Sequence, residues 1–254
     1  MGNKLYGTVL LKADKILDVL SDGKSKSLQQ IATSTGISAS TVSKILTTLS
    51  HMHYVTKSDT NKRFHLGAKL IQFGQVQTGA TDLIELTHLD LDRLQAKIDE
   101  TIHLSVLENN KAVYVRKMEP QHQNIFMTSK VGIARELYSS GMGKAMLTTF
   151  DETALAHYLS VTKLVPFTDF TITDEMQLRR SVHQAQLIGY AIDDEEQEKD
   201  CFCVATTLCE NDQLLGAMSI SVPKFRVTPQ YRNLIIQELM KAKQRIEGRL
   251  SKNK

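Results

Sequence analysis

Between residues 11 and 66 apolar positions recur at helical spacing three times, and the pattern then switches to short extended runs. Leu11, Ile16, Leu17 and Leu20 mark a first helix, closed by Asp22-Gly23. Leu28, Ile31 and Ala32 mark one face of a short second helix. Gly36 then allows the tight turn that sets two helices at a steep angle. Ser38 is a good N-cap for a third helix, whose buried face is Val42, Ile45, Leu46 and Leu49. Tyr54–Lys57 and Arg63–Leu66 read as strands on either side of the polar turn Ser58–Lys62. The pattern predicts a helix-turn-helix followed by a wing. In such motifs the start of the second helix enters the DNA major groove. The hydroxyls of Ser38, Ser40, Thr41 and Ser43 stand there for base edges and phosphates, and Lys44 for a phosphate. Lys57, Lys62 and Arg63 at the wing tip suit the DNA backbone.

The rest of the chain alternates. Gly67–Gly79 predicts a short helix and connector, followed by an amphipathic helix over Thr81–Asp99 with Leu83, Leu86, Asp90, Leu94 and Ile98 at helical spacing. Thr101–Leu107 and Ala112–Arg116 read as a hairpin about Glu108–Lys111, and Ile125–Ser129 as a further strand. Helices are expected over Gly143–Phe150 and Asp151–Leu159, and over a segment capped by Thr173 that runs to Ile188 and stops at Gly189. A strand at Tyr190–Asp193 precedes a second hairpin, Val204–Leu208 with Leu215–Val222, and Pro229 opens a terminal helix. Antiparallel hairpins with helices between them imply an α+β class. The expected division is 1–70 for the winged helix-turn-helix, 71–80 for the linker and 81–254 for a sensor domain.

Charge sharpens this division. Residues 1–70 hold ten Lys and Arg against four acids, a balance of +6, so the whole-chain +3 hides a basic head on a mildly acidic body. A basic head suits phosphate. The hydrophobic fraction of 41% is ordinary for a globular chain. No apolar run approaches the roughly 18 residues that cross a bilayer. The N-terminus lacks a secretory core. The three cysteines fit a reducing compartment, so the expected location is the cytoplasm, with no membrane partner. The chain has no Gly-x-Ser-x-Gly elbow, no phosphate-binding Gly-x-x-x-x-Gly-Lys-Ser/Thr loop and no His-Glu-x-x-His pair, which argues against an enzyme. No cofactor is expected. His103, on a strand, reads as a packed histidine, and His51 and His53 as surface residues near DNA.

Ser219 and Ser221 lie two apart on a strand, so both hydroxyls face one side, towards a ligand or towards water, while Met218, Ile220 and Val222 face the core. Gly141-Met142-Gly143 leads into a helix, which offers free N–H groups to an anion or simply forms a tight turn. Arg135 fits a bidentate carboxylate partner and a surface arginine equally. Asp194, Glu195 and Glu196 read as a solvated acidic loop.

Taken in order, several segments carry a resemblance. They are Ser40-Thr41-Val42 with Leu46 and Leu49, Gly67 with Leu70, Thr101–Leu107, and Ser140-Gly141-Met142-Gly143-Lys144-Ala145. Thr171–Asp174, Gly189-Tyr190, Asp193–Glu196, Cys203-Val204-Ala205 and Ser219-Ile220-Ser221 complete the set. The chain resembles the IclR family of bacterial transcriptional regulators over nearly its whole length. The resemblance implies a winged helix, a linker helix and a GAF-like antiparallel domain that binds a small-molecule effector, in homodimers that pair into tetramers. It places Gly141 and Met142 as backbone donors to an effector carboxylate, and Asp193 and Cys203 in the pocket. Glu136-Leu137-Tyr138 stands where many members have Pro-Leu-His, and Arg135 where an apolar residue is common, which singles out the pocket of this chain. The expected function is a repressor of operator DNA controlled by a small organic or sugar acid. The rival is a redox- or metal-responsive regulator built on Cys201, Cys203 and Cys209, although one residue between the paired cysteines is short for zinc.

Overall fold

Helices α1 (Thr8–Leu20), α2 (Leu28–Thr35) and α3 (Ala39–His51) close around Ile16, Leu20, Ile31, Val42, Ile45, Leu46 and Leu49, the positions that the helical spacing sets on one face of each. The computed structural model describes residues 6–74, 78–123 and 127–250, and the chain divides into two compact units, Met1–Thr78 and Gly79–Lys254. In the first unit Ser27 and Gln30 form a capping box at the start of α2, and Gly36 ends that helix in the left-handed conformation. Ser38 caps α3 by accepting from the Thr41 N–H.

The wing is shorter than expected, with three antiparallel pairs between β1 (Val55–Lys57) and β2 (Phe64–Leu66). It has a support that the sequence pattern did not reveal. Lys26 exchanges two backbone hydrogen bonds with Phe64, at 2.9 and 2.8 Å, so the segment before α2 lies along the free edge of β2. Gly67 leaves the wing where only glycine fits, because a Cβ there would stand 2.2 Å from the His53 carbonyl oxygen. Helix α4 (Lys69–Gly74) follows.

The second unit is a six-stranded antiparallel sheet with helices on both faces. Its strands are β3 (Thr101–Glu108), β4 (Lys111–Met118), β5 (Ala134–Glu136), β6 (Ala191–Asp194), β7 (Cys201–Glu210) and β8 (Gln213–Pro223), in the order β5-β4-β3-β8-β7-β6. The sheet bends into a half-barrel. Helices α5 (Thr78–Ile98) and α9 (Pro229–Leu250) cover one face, with Leu91, Leu94, Ile235 and Leu239 meeting Met218, Ile220 and Val222 of β8. The other face carries α6 (Gly141–Leu147), α7 (Glu152–Val161) and α8 (Glu175–Ile188), with Leu137, Met142, Met146 and Tyr158 packed against Ala205 and Ala217. Alternation along β8 therefore holds: even positions from 218 to 222 enter one core and Ser219 and Ser221 face the other side.

Four expectations need correction. Leu86 is exposed, and the buried face of α5 runs instead through Leu83, Thr87, Asp90, Leu91, Leu94 and Ile98. Asp90 sits on that buried face because Arg245 and Arg249 of α9 reach its carboxylate at 2.8 and 2.5 Å. Asp174, not Thr173, caps α8, accepting from the Gln177 N–H at 2.8 Å. Strand β5 was not foreseen. Of the strand expected at Ile125–Ser129, residues 125 and 126 lie outside the described residues, and Met127–Ser129 are not in a strand.

Candidate functional site

The N-terminal half of α3 leaves Ser40, Ser43 and Lys44 exposed, with Thr41 half-buried, because Val42, Ile45 and Leu46 take the inward face. Ser38, Ser40 and Thr41 are linked to one another: Ser38 Oγ lies 2.9 Å from Thr41 Oγ1 and 3.3 Å from Ser40 Oγ. These hydroxyls form one small polar surface at the helix start, where backbone N–H groups also point outward. Lys57 and Lys62 are exposed on the wing. Arg63 is placed differently from the expected tip. It is half-buried, and its Nη2 donates to Gln30 Oε1 at 2.9 Å, which ties the wing to the capping box of α2. The first unit thus presents exposed hydroxyls, a lysine on a helix start and two wing lysines, groups of the kind that contact phosphates and base edges.

In the second unit a small cavity of about 30 Å³ collects at least one polar side chain from each of the six strands. They are Arg135 of β5, Tyr114 of β4, His103 of β3, Ser221 of β8, Cys203 of β7 and Asp193 of β6. Two of these strands are opposite edges of the sheet, and its bend brings them to one cavity. Ser219 joins the same row, since Ser219 pairs with His103, Ser221 with Cys203, and Cys203 with Asp193 across the ladders. Met127, Ser129, Gln197, Glu198 and Cys201 complete the rim.

His103 is the hub of the row. Its Nε2 lies 2.7 Å from Ser129 Oγ, and its Nδ1 is 3.3 Å from Ser221 Oγ and 3.4 Å from Ser219 Oγ. Its ring packs on Tyr114, with centroids 4.7 Å apart. Burial, with help from Lys117 and Arg135, holds its pKa down to about 3, so the imidazole is neutral. It is packed, as expected, but it also lines the cavity. That role is invisible in the sequence, since only the pairing of β3 with β8 brings it to the serines.

Asp193 is 4% exposed, and its Oδ1 accepts from the N–H groups of Glu196 and Gln197 at 2.8 and 3.3 Å. Burial pushes its pKa up to about 7, against the nearby Lys144 charge, which lowers it. Gly141 abuts it: a Cβ on Gly141 would stand 3.5 Å from the Asp193 Cβ. Gly141 and Met142 fill the first turn of α6, behind the Ser140 cap, where N–H groups have no acceptor within the helix. Arg135 faces the cavity and not the surface; its Nε is buried with no hydrogen-bond partner among the described residues. Of the seven residues expected at the pocket, Arg135, Asp193, Cys203 and Ser221 line this cavity, Ser219 reaches it through His103, Gly141 abuts Asp193, and Met142 is not among the lining residues: its sulfur accepts from Ser105 Oγ.

Glu196 overturns the solvated-loop expectation. It is buried and forms an ion pair with Lys144, itself 1% exposed, directly behind Gly141 and Met142. Its second carboxylate oxygen has no partner among the described residues, and burial raises its pKa. The three-thiol site is likewise corrected. Cys201 and Cys203 face each other, with sulfurs 3.5 Å apart, but Cys209 is eight residues from Cys201 on the same strand, roughly 26 Å away at strand rise. The hydrogen bond with Cys201, and burial, push the Cys203 thiol well above its usual range, the opposite of a reactive thiolate.

The chain matches two family models: the IclR helix-turn-helix domain over residues 9–59, and the bacterial transcriptional regulator IclR C-terminal domain over residues 75–247. It is 27% identical over 242 residues to the HTH-type transcriptional regulator KdgR of Escherichia coli K12, covering 95% of this chain and 92% of that protein. The crystal structure of the Thermotoga maritima IclR superposes with a TM-score of 0.78 at 28% identity, covering 96% of this chain and 98% of that one. An IclR homolog from Microbacterium hydrocarbonoxydans, solved in complex with 4-hydroxybenzoate, has a TM-score of 0.75 at 19% identity, covering 96% and 100%. With both halves matched by the family's own models and the whole fold reproduced in its solved members, this chain belongs to the IclR family of bacterial transcriptional regulators.

Proposed function

We propose that this regulator is a cytoplasmic repressor without enzymatic activity, whose hold on operator DNA is set by a small organic or sugar acid in the cavity of the second unit. The observation that carries the effector assignment is the convergence of polar side chains from all six strands on one small cavity. Polar and titratable groups with perturbed proton affinity gathered at one cavity are the mark of a ligand site, and here they are His103, Asp193, Arg135 and the serine hydroxyls. In this assignment Gly141 and Met142 donate to the effector carboxylate, and Arg135 supplies charge. Asp193, Ser219 and Ser221 take its hydroxyls, and Cys203 packs against it. The acid ligand of the Microbacterium homolog is of the same chemical kind.

On the DNA side Ser38, Ser40, Thr41, Ser43 and Lys44 dock in the major groove, and Lys57, Lys62 and Arg63 hold the flanking backbone. Operator readout by such helices is symmetric, so the working species is a homodimer, pairing further into a tetramer. Bound at a promoter, it excludes polymerase. The test is a thermal-shift screen of the full chain against organic and sugar acids, followed by operator binding with each hit. A selective rise in melting temperature that coincides with a change in operator affinity is the expected result. Stabilisation only by uncharged aromatics would overturn the acid assignment, and unchanged operator affinity with a bound hit would overturn the coupling. Light scattering checks the dimer and tetramer.

A further inference from the structure

The seam where α5 and α9 run side by side is strongly cationic on a body that is otherwise acidic. Residues 71–254 hold 21 basic against 24 acidic residues. Yet Arg93 and Lys97 of α5 and Lys241, Arg245 and Arg249 of α9 meet over only two acids, Asp90 and Glu238. Both acids are buried beneath the cations, 1% and 4% exposed. Arg245 Nε and Arg249 Nη2 reach Asp90 at 2.8 and 2.5 Å, and Arg93 Nη1 stands 3.7 Å from it. Lys97 and Lys241 reach Glu238 at 2.9 and 2.8 Å. The five cationic side chains themselves stay 40–68% exposed. Other acids of the two helices are turned elsewhere: Asp92 pairs with Arg116 at 2.8 Å and Glu247 with Lys243 at 2.6 Å, while Asp82 and Glu85 lie towards the start of α5, at the Arg249 end.

Two cations would neutralise two buried acids, so five leave three positive charges in excess on this seam. The buried carboxylates also hold long side chains in place that would otherwise lose rotamer freedom on meeting a ligand. Arg245 spends only its Nε on Asp90, which leaves its Nη groups for a further acceptor. On α9 the cations recur every four residues, a row about 12 Å long at helix rise and enough for two or three phosphates. We propose that this seam is a second DNA-binding surface, which holds the phosphate backbone of duplex DNA separately from the contacts of α3. Backbone contacts of this kind need fixed positive charge and no base-specific geometry, and guanidinium forks suit phosphate oxygens. Duplex DNA is the polyanion that a DNA-binding regulator meets whenever it works. The inference is independent of the effector assignment.

Fluorescence anisotropy of the full chain on a random-sequence duplex of about 40 base pairs, titrated across salt concentrations, tests this. Lys44→Ala/Lys57→Ala/Lys62→Ala serves as background, to weaken the first unit's own hold on phosphate. The background variant should still bind the duplex. Adding Arg93→Gln/Lys241→Gln should lower the slope of log affinity against log salt by about two, and the affinity at about 0.1 M salt at least about tenfold. That pair of changes leaves Asp90 with Arg245 and Arg249, and Glu238 with Lys97, so no buried acid is stripped of its partner. Gln244→Lys removes no contact at all; exposed on α9 beside Lys241 and Arg245, it should tighten binding and raise the slope by about one. An unchanged slope in both variants, or loss of all duplex binding in the background, overturns the inference. So does displacement of the duplex by poly-L-glutamate at matched charge, which would mark a surface for an acidic protein. Each of these leaves the operator reading standing, since that rests on α3 and the wing.

Discussion

Replacing Lys144 by Met is the sharpest test of how the second unit is held together behind its cavity. The Lys144 and Glu196 side chains are 2% and 10% exposed and form an ion pair, and the other Glu196 oxygen is already without a partner among the described residues. Met fills nearly the same volume as Lys, so the substitution removes the charge with little change in packing. Glu196 is left as an uncompensated buried carboxylate beside Asp193. Breaking a buried pair from one side costs about 3–5 kcal/mol. At roughly 2–4 °C per kcal/mol for a unit of this size, the melting temperature should fall by roughly 6–20 °C. The pH dependence identifies the cause. Burial raises the Glu196 pKa and Lys144 holds it down, so the variant's Glu196 titrates at higher pH than the parent's. The penalty is then larger at about pH 8 than at about pH 5, because lowering the pH favours the protonated, uncharged Glu196. A lost packing contact would have no such dependence. Thermal unfolding followed by circular dichroism at both pH values measures this. In Lys144→Met/Glu196→Leu most of the stability should return, because no buried charge remains. A single variant within about 1 kcal/mol of the parent, or a double variant worse than the single, would refute the reasoning.

Other expectations follow from single contacts. In the parent, Asp193 holds its proton more tightly folded than unfolded, with a pKa of about 7 against 3.8, so it makes stability fall as pH rises between those values; Asp193→Asn should flatten that part of the profile in urea unfolding at stepped pH. Gly67→Ala forces a Cβ against the His53 carbonyl at 2.2 Å and should destabilise the first unit by about 1–3 kcal/mol, read as loss of operator binding on mild heating. Lys44→Ala should weaken operator binding and lower the salt slope by about one, whereas Arg63→Ala should also lower the melting temperature, because Arg63 holds Gln30; fluorescence anisotropy across salt concentrations separates the two. Cys209→Ser should leave operator binding and its response to peroxide and zinc unchanged, since Cys209 is remote from Cys201 and Cys203.

What was legible in the sequence was what local periodicity controls. The inward face of α3, the alternation of β8 and the left-handed stops at Gly36 and Gly189 follow from spacing and from glycine's tolerance of positive φ. Contacts made by distant residues were not legible. Glu196 stands in a run of four acids, which by composition belongs in water, and its burial is decided by Lys144, 52 positions earlier. Leu86 left the expected face while Asp90 stayed on it, because two arginines more than 150 residues away satisfy the buried Asp90 carboxylate. Strand β5 is only three residues, too short for any period to register, yet it delivers Arg135. His103 was assigned correctly as packed, but its partners lie on β8 and at Ser129, which no local pattern connects.

In the proposed effector complex, the row of side chains drawn from all six strands would give the ligand a mechanical role. The sheet ends in two short strands, β5 with three residues and β6 with four, each held along a single ladder. Such edges are the parts of a sheet that open first. A ligand touching Arg135 and Asp193 together spans from one edge to the other and acts as a tie across the open side of the half-barrel. Its binding energy is then spent on the least rigid strands and not on the central ones, which are already locked. Hydrogen exchange should slow most at β5, β6 and the start of α6 when the cavity fills, which makes the margins of the sheet the place where occupancy becomes a change of shape.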